Sequence, residues 1–159
     1  ELASLRADHA SVLAIAAELG HFIIEFTGEV NFAGALHHLG HRDLALEHAR
    51  RAVALERTRL GDAARPEAAL LLARILAAGR DRAEIAEVVA AIDAHQEIAR
   101  AAHRTEALLS PSDQVLLEGV CAVAGLPRPR VPVALHTRAI ELLPRHELAE
   151  LEALVALGP

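Results

Sequence analysis

Histidine is the residue type with the most chemical potential in this sequence, which contains ten of them. Four of the ten are clustered: His37, His38, His41 and His48. His37 and His41 are four residues apart, the spacing at which two imidazoles on one helix can bind one metal ion. However, Gly40 between them predicts a break in the helix, and Glu47 is the nearest acidic ligand. A metal site is therefore an alternative here, and we expect these histidines to lie at the surface beside a turn.

The other arrangements that could carry out a reaction are incomplete. Glu18 and His21 form a Glu-x-x-His element like those of di-iron helical bundles, but such a site needs a second copy, which the sequence lacks. Glycine-rich phosphate loops and the Gly-x-Ser-x-Gly motif are also missing. The sequence therefore predicts no catalytic residue, metal ligand or cofactor, and we do not expect an enzyme.

Two further features of the side-chain chemistry have simple interpretations. An acidic run near the end of the chain is expected to be a solvated helix face: Glu141, Glu147, Glu150 and Glu152. Cys121 is the single cysteine, which excludes an internal disulfide, and its apolar neighbours indicate a small buried side chain.

Composition points to packed helices. Of the 159 residues, 53% are hydrophobic and only 2% aromatic, and Ala and Leu supply most of the apolar content. The net charge of −6 disfavours direct binding to nucleic acid, because acidic chains gain little from counterion release. No apolar run reaches the ~20 residues of a membrane span, and no signal peptide is evident, so we expect a cytoplasmic protein. The chain begins at Glu1 without methionine, which suggests a fragment or a processed product.

The elements that must position these residues are helical hairpins. From Asn31 to Gly61 the pattern predicts two antiparallel helices hinged at Gly40, with small residues at i, i+4 and i+7 on one face of the second. Those residues are Ala45, Ala49 and Ala52. A second, weaker pair is centred on Gly79, and its first helix is apolar nearly all round, so we expect it to be buried.

The first hairpin resembles a tetratricopeptide repeat. Its matches to the signature of that repeat are Phe32, Ala33, Leu36, Gly40, Ala45, Ala52 and Leu55. It departs from the family at Glu29, where the repeat usually has Trp, and at Arg57, where it usually has Pro. The resemblance implies antiparallel hairpins stacked as a short solenoid with C-terminal capping helices. It also implies a partner-binding face that comprises Val30, Asn31, Gly34, His37 and His38.

These inferences combine into one predicted organisation. Residues 1–125 form the array of hairpins, 126–132 a proline-rich linker, and 133–159 short C-terminal helices. By resemblance, the chain is a scaffold or sensor module that binds a protein or peptide within a larger bacterial regulatory protein. The alternatives are a histidine-rich metal-binding or metalloenzyme bundle and a structural domain that forms homo-oligomers. No membrane partner is expected.

Overall fold

The computed structural model describes residues 1–127 and 131–157. Its α-helices in this part of the chain are Leu2–Leu19 (α1), Phe22–His38 (α2), Arg42–Leu55 (α3), Glu67–Ala78 (α4), Arg82–Ala101 (α5), Pro111–Ala124 (α6), Val133–Leu142 (α7) and Arg145–Leu157 (α8). A π-helical segment, Glu56–Leu60, extends α3. Helices make up 83% of the chain, and the described residues contain no strand. The all-α prediction is confirmed.

Local sequence signals account for the helix boundaries. Gly40 has a φ of 77°, a left-handed conformation that lets the chain turn sharply between α2 and α3. The start of α6 is fixed by a capping box, in which the Ser110 hydroxyl accepts a bond from the Asp113 N–H and Asp113 accepts one from the Ser110 N–H. Pro144 separates α7 from α8, as the sequence predicts.

The main core lies between α2, α3, α4, α5 and α6. Each consecutive pair of helices from α1 to α6 is in contact, and α4 also contacts α2 and α6. The small residues of α3 that the sequence places on one face are fully buried: Ala45, Ala49 and Ala52. Small side chains there allow the neighbouring helices to approach α3 closely. The stacking of these hairpins as a tetratricopeptide-like solenoid remains a prediction.

Helix α4 lies at the centre, as its apolar sequence predicts. Every residue from Ala68 to Ala77 is buried. The backbone N–H of Ala68, in the first turn, donates to the Glu56 carboxylate at 2.9 Å. Burial raises the pKa of Glu56 to about 7, although this hydrogen bond and the one from the Ala69 N–H oppose the shift. A buried carboxyl group from the π-helical segment that precedes α4 thus caps this helix.

The two last helices pack against α6. A second apolar cluster joins α6 to α7 and α8: Val115, Leu116, Ala139, Leu143 and Leu151. Within the predicted linker, residues 128–130 lie outside the described residues, and so do 158–159 of the C-terminal segment. The division of the chain at 126–132 stays a prediction. In the part of the chain described, no helix is both long and apolar enough to cross a membrane.

Candidate functional site

The residues of the predicted partner-binding face are all on α2 but have different surroundings. Val30 packs against the main core, and Gly34 is half-buried. Asn31 lines a groove between α1 and α2. His37 and His38, at the C-terminal end of α2, lie beside α8 instead. The structure therefore brings the two histidines together, with ring centroids 5.9 Å apart, and places Asn31 on another surface.

An arginine in the middle of the buried helix α4 forms the strongest polar contact with α8. Arg74 is 8% exposed. Its Nε donates to Glu150 Oε1 at 3.0 Å, its Nη2 donates to Glu150 Oε2, and its Nη1 donates to Glu147 Oε1 at 3.0 Å. The planar guanidinium thus binds one carboxylate with two bonds and a second with one. We call Arg74, His37, Glu147 and Glu150 the Arg74 cluster.

The histidines of α2 complete this contact. His37 Nε2 lies 3.6 Å from Glu150 Oε1, and the His38 ring packs edge-on against His146 of α8 with centroids 5.0 Å apart. Arg74, His37 and His38 therefore face α8 together, and we call these three residues the acid-binding face. Two carboxylates of α8, three residues apart on one side of that helix, lie on this face.

The ionisation of the Arg74 cluster follows from its surroundings. Burial favours the neutral form of Glu150, but His37 and Arg74 outweigh burial and lower the pKa of Glu150 to about 2. Burial also disfavours the charge on Arg74, and the two glutamates reverse this effect and raise its pKa. Burial lowers the pKa of His38, with Glu150 opposing the shift. At neutral pH the contact between Arg74 and Glu150 is thus an ion pair.

The expectation of a solvated acidic face near the C-terminus is wrong for half of its residues. Glu141 and Glu152 are exposed, whereas Glu147 and Glu150 bind Arg74. Spacing explains the difference, because Glu147 and Glu150 share the side of α8 that carries the buried Leu151. An acidic residue on the apolar side of a helix signals a buried cationic partner.

A second polar cluster joins the first three helices. His48 Nδ1–H donates to Glu29 Oε2 at 2.6 Å, and His9 Nε2 lies 3.6 Å from Glu29 Oε1. The His9 ring stacks on Phe32 with centroids 4.0 Å apart and an interplanar angle of 4°. The edge of the His48 ring meets both of the stacked rings. We call His9, Glu29 and His48 the His9 cluster.

The local sequence explains how α1 comes so close to α2 here. Gly28 precedes Glu29, and a Cβ atom at Gly28 would lie 2.9 Å from Val12 Cγ1. Only a glycine therefore permits this approach, which places His9 of α1 opposite the buried face of α2. His9 also lines the groove beside Asn31, a cavity of about 600 Å³ between the two helices.

The predicted histidine cluster separates in the structure. His48 is buried, which corrects its expected place at the surface, while His38 and His41 are exposed and His37 is half-buried. Glu18 and His21 are both exposed.

Sequence reasoning missed His9, Glu29 and Arg74 as candidate site residues. Glu29 had a signal, because it replaces the usual Trp of the repeat and lies on the same helical face as the core residues Phe32 and Ala33.

These contacts are the basis on which a function can be assigned. Comparisons with protein-family models, curated proteins and solved structures gave no match to this chain.

Proposed function

We propose that this chain is a protein-interaction module whose acid-binding face receives an acidic amphipathic helix. The observation that carries the proposal is α8 itself, which occupies that face through Glu147 and Glu150. The chain thus contains an example of the ligand that its own surface accepts. A helix of a protein or peptide partner that carries the same side chains is the expected external ligand.

The recognition is chemical as well as geometric. A guanidinium offers a rigid fork of donors that matches carboxylate oxygens, and Arg74 holds this fork in place because it is buried in α4. Two glutamates at i and i+3 meet the fork from one side of a helix. Leu151, on the same helix, is buried against α6 and adds an apolar anchor. A partner therefore needs two acidic residues and an adjacent leucine on one face.

Occupation by α8 makes the module self-inhibited. A segment tethered to its own binding surface competes at an effective concentration on the order of millimolar. A partner helix must displace α8 to bind, so the tether sets a threshold for the partner concentration. This behaviour suits a scaffold or sensor within a larger bacterial regulatory protein, the role that the resemblance to tetratricopeptide domains implies. No catalytic step is part of this proposal.

The test is capture of the α8 sequence as a separate molecule. A fluorescent peptide of residues 144–157, PRHELAELEALVAL, is titrated with the whole chain that carries Glu147→Gln and Glu150→Gln. These substitutions weaken the tethered helix and leave the acid-binding face intact. We expect the peptide to bind this variant at least about tenfold more tightly than it binds the unaltered chain, in which α8 competes.

Two controls separate recognition from nonspecific adhesion. Adding Arg74→Met to the double variant should abolish binding, and so should a peptide with glutamine in place of both glutamates. Equal binding by the triple variant, or no binding to the double variant, would contradict the proposal.

Self-association is a second candidate, and a different surface favours it. Ile15 and Leu19 of α1 and Ile23 of α2 are 49%, 65% and 47% exposed, and Ile23 lines the groove between these helices. Exposed apolar side chains next to a groove are typical of protein interfaces. Light scattering at several concentrations tests this candidate: a rise in mass with concentration that Ile23→Glu removes would support a homo-oligomer.

A further inference from the structure

We propose that the His9 cluster is a binding site for one divalent transition-metal ion, with the chemistry that favours Zn²⁺. Its three side chains come from α1, α2 and α3, and each offers one ligand atom. Within the described part of the chain, this is the one group of three such residues whose ligand atoms all lie within 4.8 Å of one another. Of the residues that the sequence suggested as metal ligands, His48 is the one that belongs to this cluster.

The distances approach what a tetrahedral ion requires. Nitrogen and oxygen ligands lie about 2.0–2.2 Å from zinc, so two ligands of one tetrahedral ion are about 3.3 Å apart. His9 Nε2 lies 3.6 Å from Glu29 Oε1, close to that separation, and His48 Nδ1 lies 2.6 Å from Glu29 Oε2, the other oxygen of the same carboxylate. The three ligand atoms, one from each side chain, all lie within 4.8 Å of one another. Side-chain adjustments of about 1 Å therefore bring one atom of each residue around an ion.

One ligand atom has no other role in the structure. His9 Nε2 is buried and has no hydrogen-bond partner, and the His9 side chain is only 9% exposed. Buried polar atoms nearly always have a partner, so this nitrogen, which points at Glu29, needs one.

The neighbouring rings hold the ligands in place before an ion binds. The stack on Phe32 fixes the plane of the His9 ring, and the His48 ring meets it at 86°. Ordered ligands lose little freedom on binding, which favours affinity. When an ion binds, it takes the place of the Nδ1 proton that Glu29 accepts in its absence, and the neutral His48 ring then carries its one proton on Nε2 instead.

The ligand set determines which ions fit. Two imidazoles and one carboxylate suit zinc and its first-row neighbours and exclude calcium and magnesium, which prefer oxygen ligands. Three protein ligands leave one tetrahedral position for water or for a group of a bound partner. Because the groove between α1 and α2 includes His9, the site is next to a surface that a partner can reach.

The experiment is a metal titration of the untagged whole chain after treatment with a chelator. Co²⁺ reports coordination by its visible absorption, and Zn²⁺ is then added to displace it. We expect one equivalent of Co²⁺ with the intense bands of a tetrahedral site, and full displacement by Zn²⁺. His9→Phe keeps the stack on Phe32 and removes one ligand, so it should weaken binding by more than about 100-fold, since even outer-shell changes cost 10–100-fold.

A matched variant tests the surface histidines. His21→Ala with His41→Ala removes two exposed histidines outside the cluster and should leave the titration unchanged. The proposal is overturned if this double variant loses the bound ion, if His9→Phe retains it, or if the unaltered chain binds less than one equivalent.

A further variant decides the outcome if His9→Phe does not fold. Glu29→Gln keeps an acceptor for the His48 N–H and removes the charge, so the helix contacts remain. The same titration with this variant should again show binding weakened by more than about 100-fold. Unweakened binding by a folded Glu29→Gln variant would overturn the proposal.

Discussion

The Arg74 cluster and the His9 cluster both bury polar side chains of α2 against other helices, and they differ in completeness. Arg74 donates to two carboxylates through three nitrogens, so the Arg74 cluster is satisfied by α8. In the His9 cluster, Glu29 accepts from His48, and His9 Nε2 is left without a partner. In the Arg74 cluster, other residues of the chain satisfy the hydrogen-bonding groups. In the His9 cluster, one nitrogen is left without a hydrogen-bond partner.

This difference fits the separate roles that we propose for the two clusters. The partner of Arg74 comes from α8, which contacts the rest of the described structure mainly through α6, and the proposed external helix would take its place. In the His9 cluster, α2 packs against both α1 and α3, and the unsatisfied group is one buried nitrogen, which a single ion can bind. The proposals therefore make the contact of Arg74 with α8 reversible and the His9 cluster a binding site for an ion.

The largest expected effect is on the complete cluster. Arg74→Met removes a buried cation from the half-buried carboxylates of Glu147 and Glu150 and should lower the free energy of unfolding by about 3–5 kcal/mol. Chemical denaturation measures this change. Arg50→Met is the matched control, because Arg50 binds Glu84 with similar geometry at the surface and should cost less than about 1 kcal/mol. Equal losses in the two variants would mean that burial gives Arg74 no special role.

A smaller loss is expected when the His9 cluster loses its one internal bond. His48→Leu leaves the buried Glu29 without its hydrogen-bond donor and should cost about 2–3 kcal/mol. Chemical denaturation of the two proteins at one pH measures this loss. An unchanged free energy of unfolding would contradict it.

Acid should weaken the Arg74 cluster in a defined pH range. Because the pKa of Glu150 falls from 4.5 to about 2 on folding, its contribution to stability is complete above about pH 4.5 and disappears as the pH approaches 2. Between pH 5 and pH 3 this amounts to about 2 kcal/mol. The measurement is the loss over this range in the unaltered chain minus that in Glu150→Gln. If the two proteins lose the same amount, Glu150 is not held ionised by Arg74.

The smallest effect on stability is expected for His9, whose Nε2 has no hydrogen-bond partner. His9→Phe, in the absence of metal, removes a nitrogen that has no partner and keeps the stacked ring, so the stability should change by no more than about 0.5 kcal/mol. With one equivalent of Zn²⁺ present, the melting temperature of the unaltered chain should rise and that of the variant should not. A large loss of stability without metal would show that His9 already has a structural partner.

Much of the fold could be predicted because its signals are local. Gly40 and Ser110 mark helix boundaries through their own backbone preferences, and the spacing of small residues in α3 identifies its buried face. The place of α8 depends instead on contacts between residues more than seventy positions apart in the chain, as between Arg74 and Glu147. Such contacts leave no local pattern.

The candidate sites were predictable only in part for the same reason. The sequence grouped the histidines that are close in the chain, whereas the cluster that forms joins His9, Glu29 and His48 from three helices. Arg74 was visible as a charge in the middle of an apolar helix, and Glu29 as a carboxylate on a core-facing position. A charged residue on a buried face predicts a partner, but the sequence does not say which helix supplies it.

The central claim is that α8 is a removable occupant of the acid-binding face. Amide hydrogen exchange tests it most directly, by comparison of the unaltered chain with Arg74→Met. The account predicts that amides of α8 lose far more protection in the variant than those of α3 and α5 do. Undiminished protection of α8, or an equal loss across all helices, would contradict it.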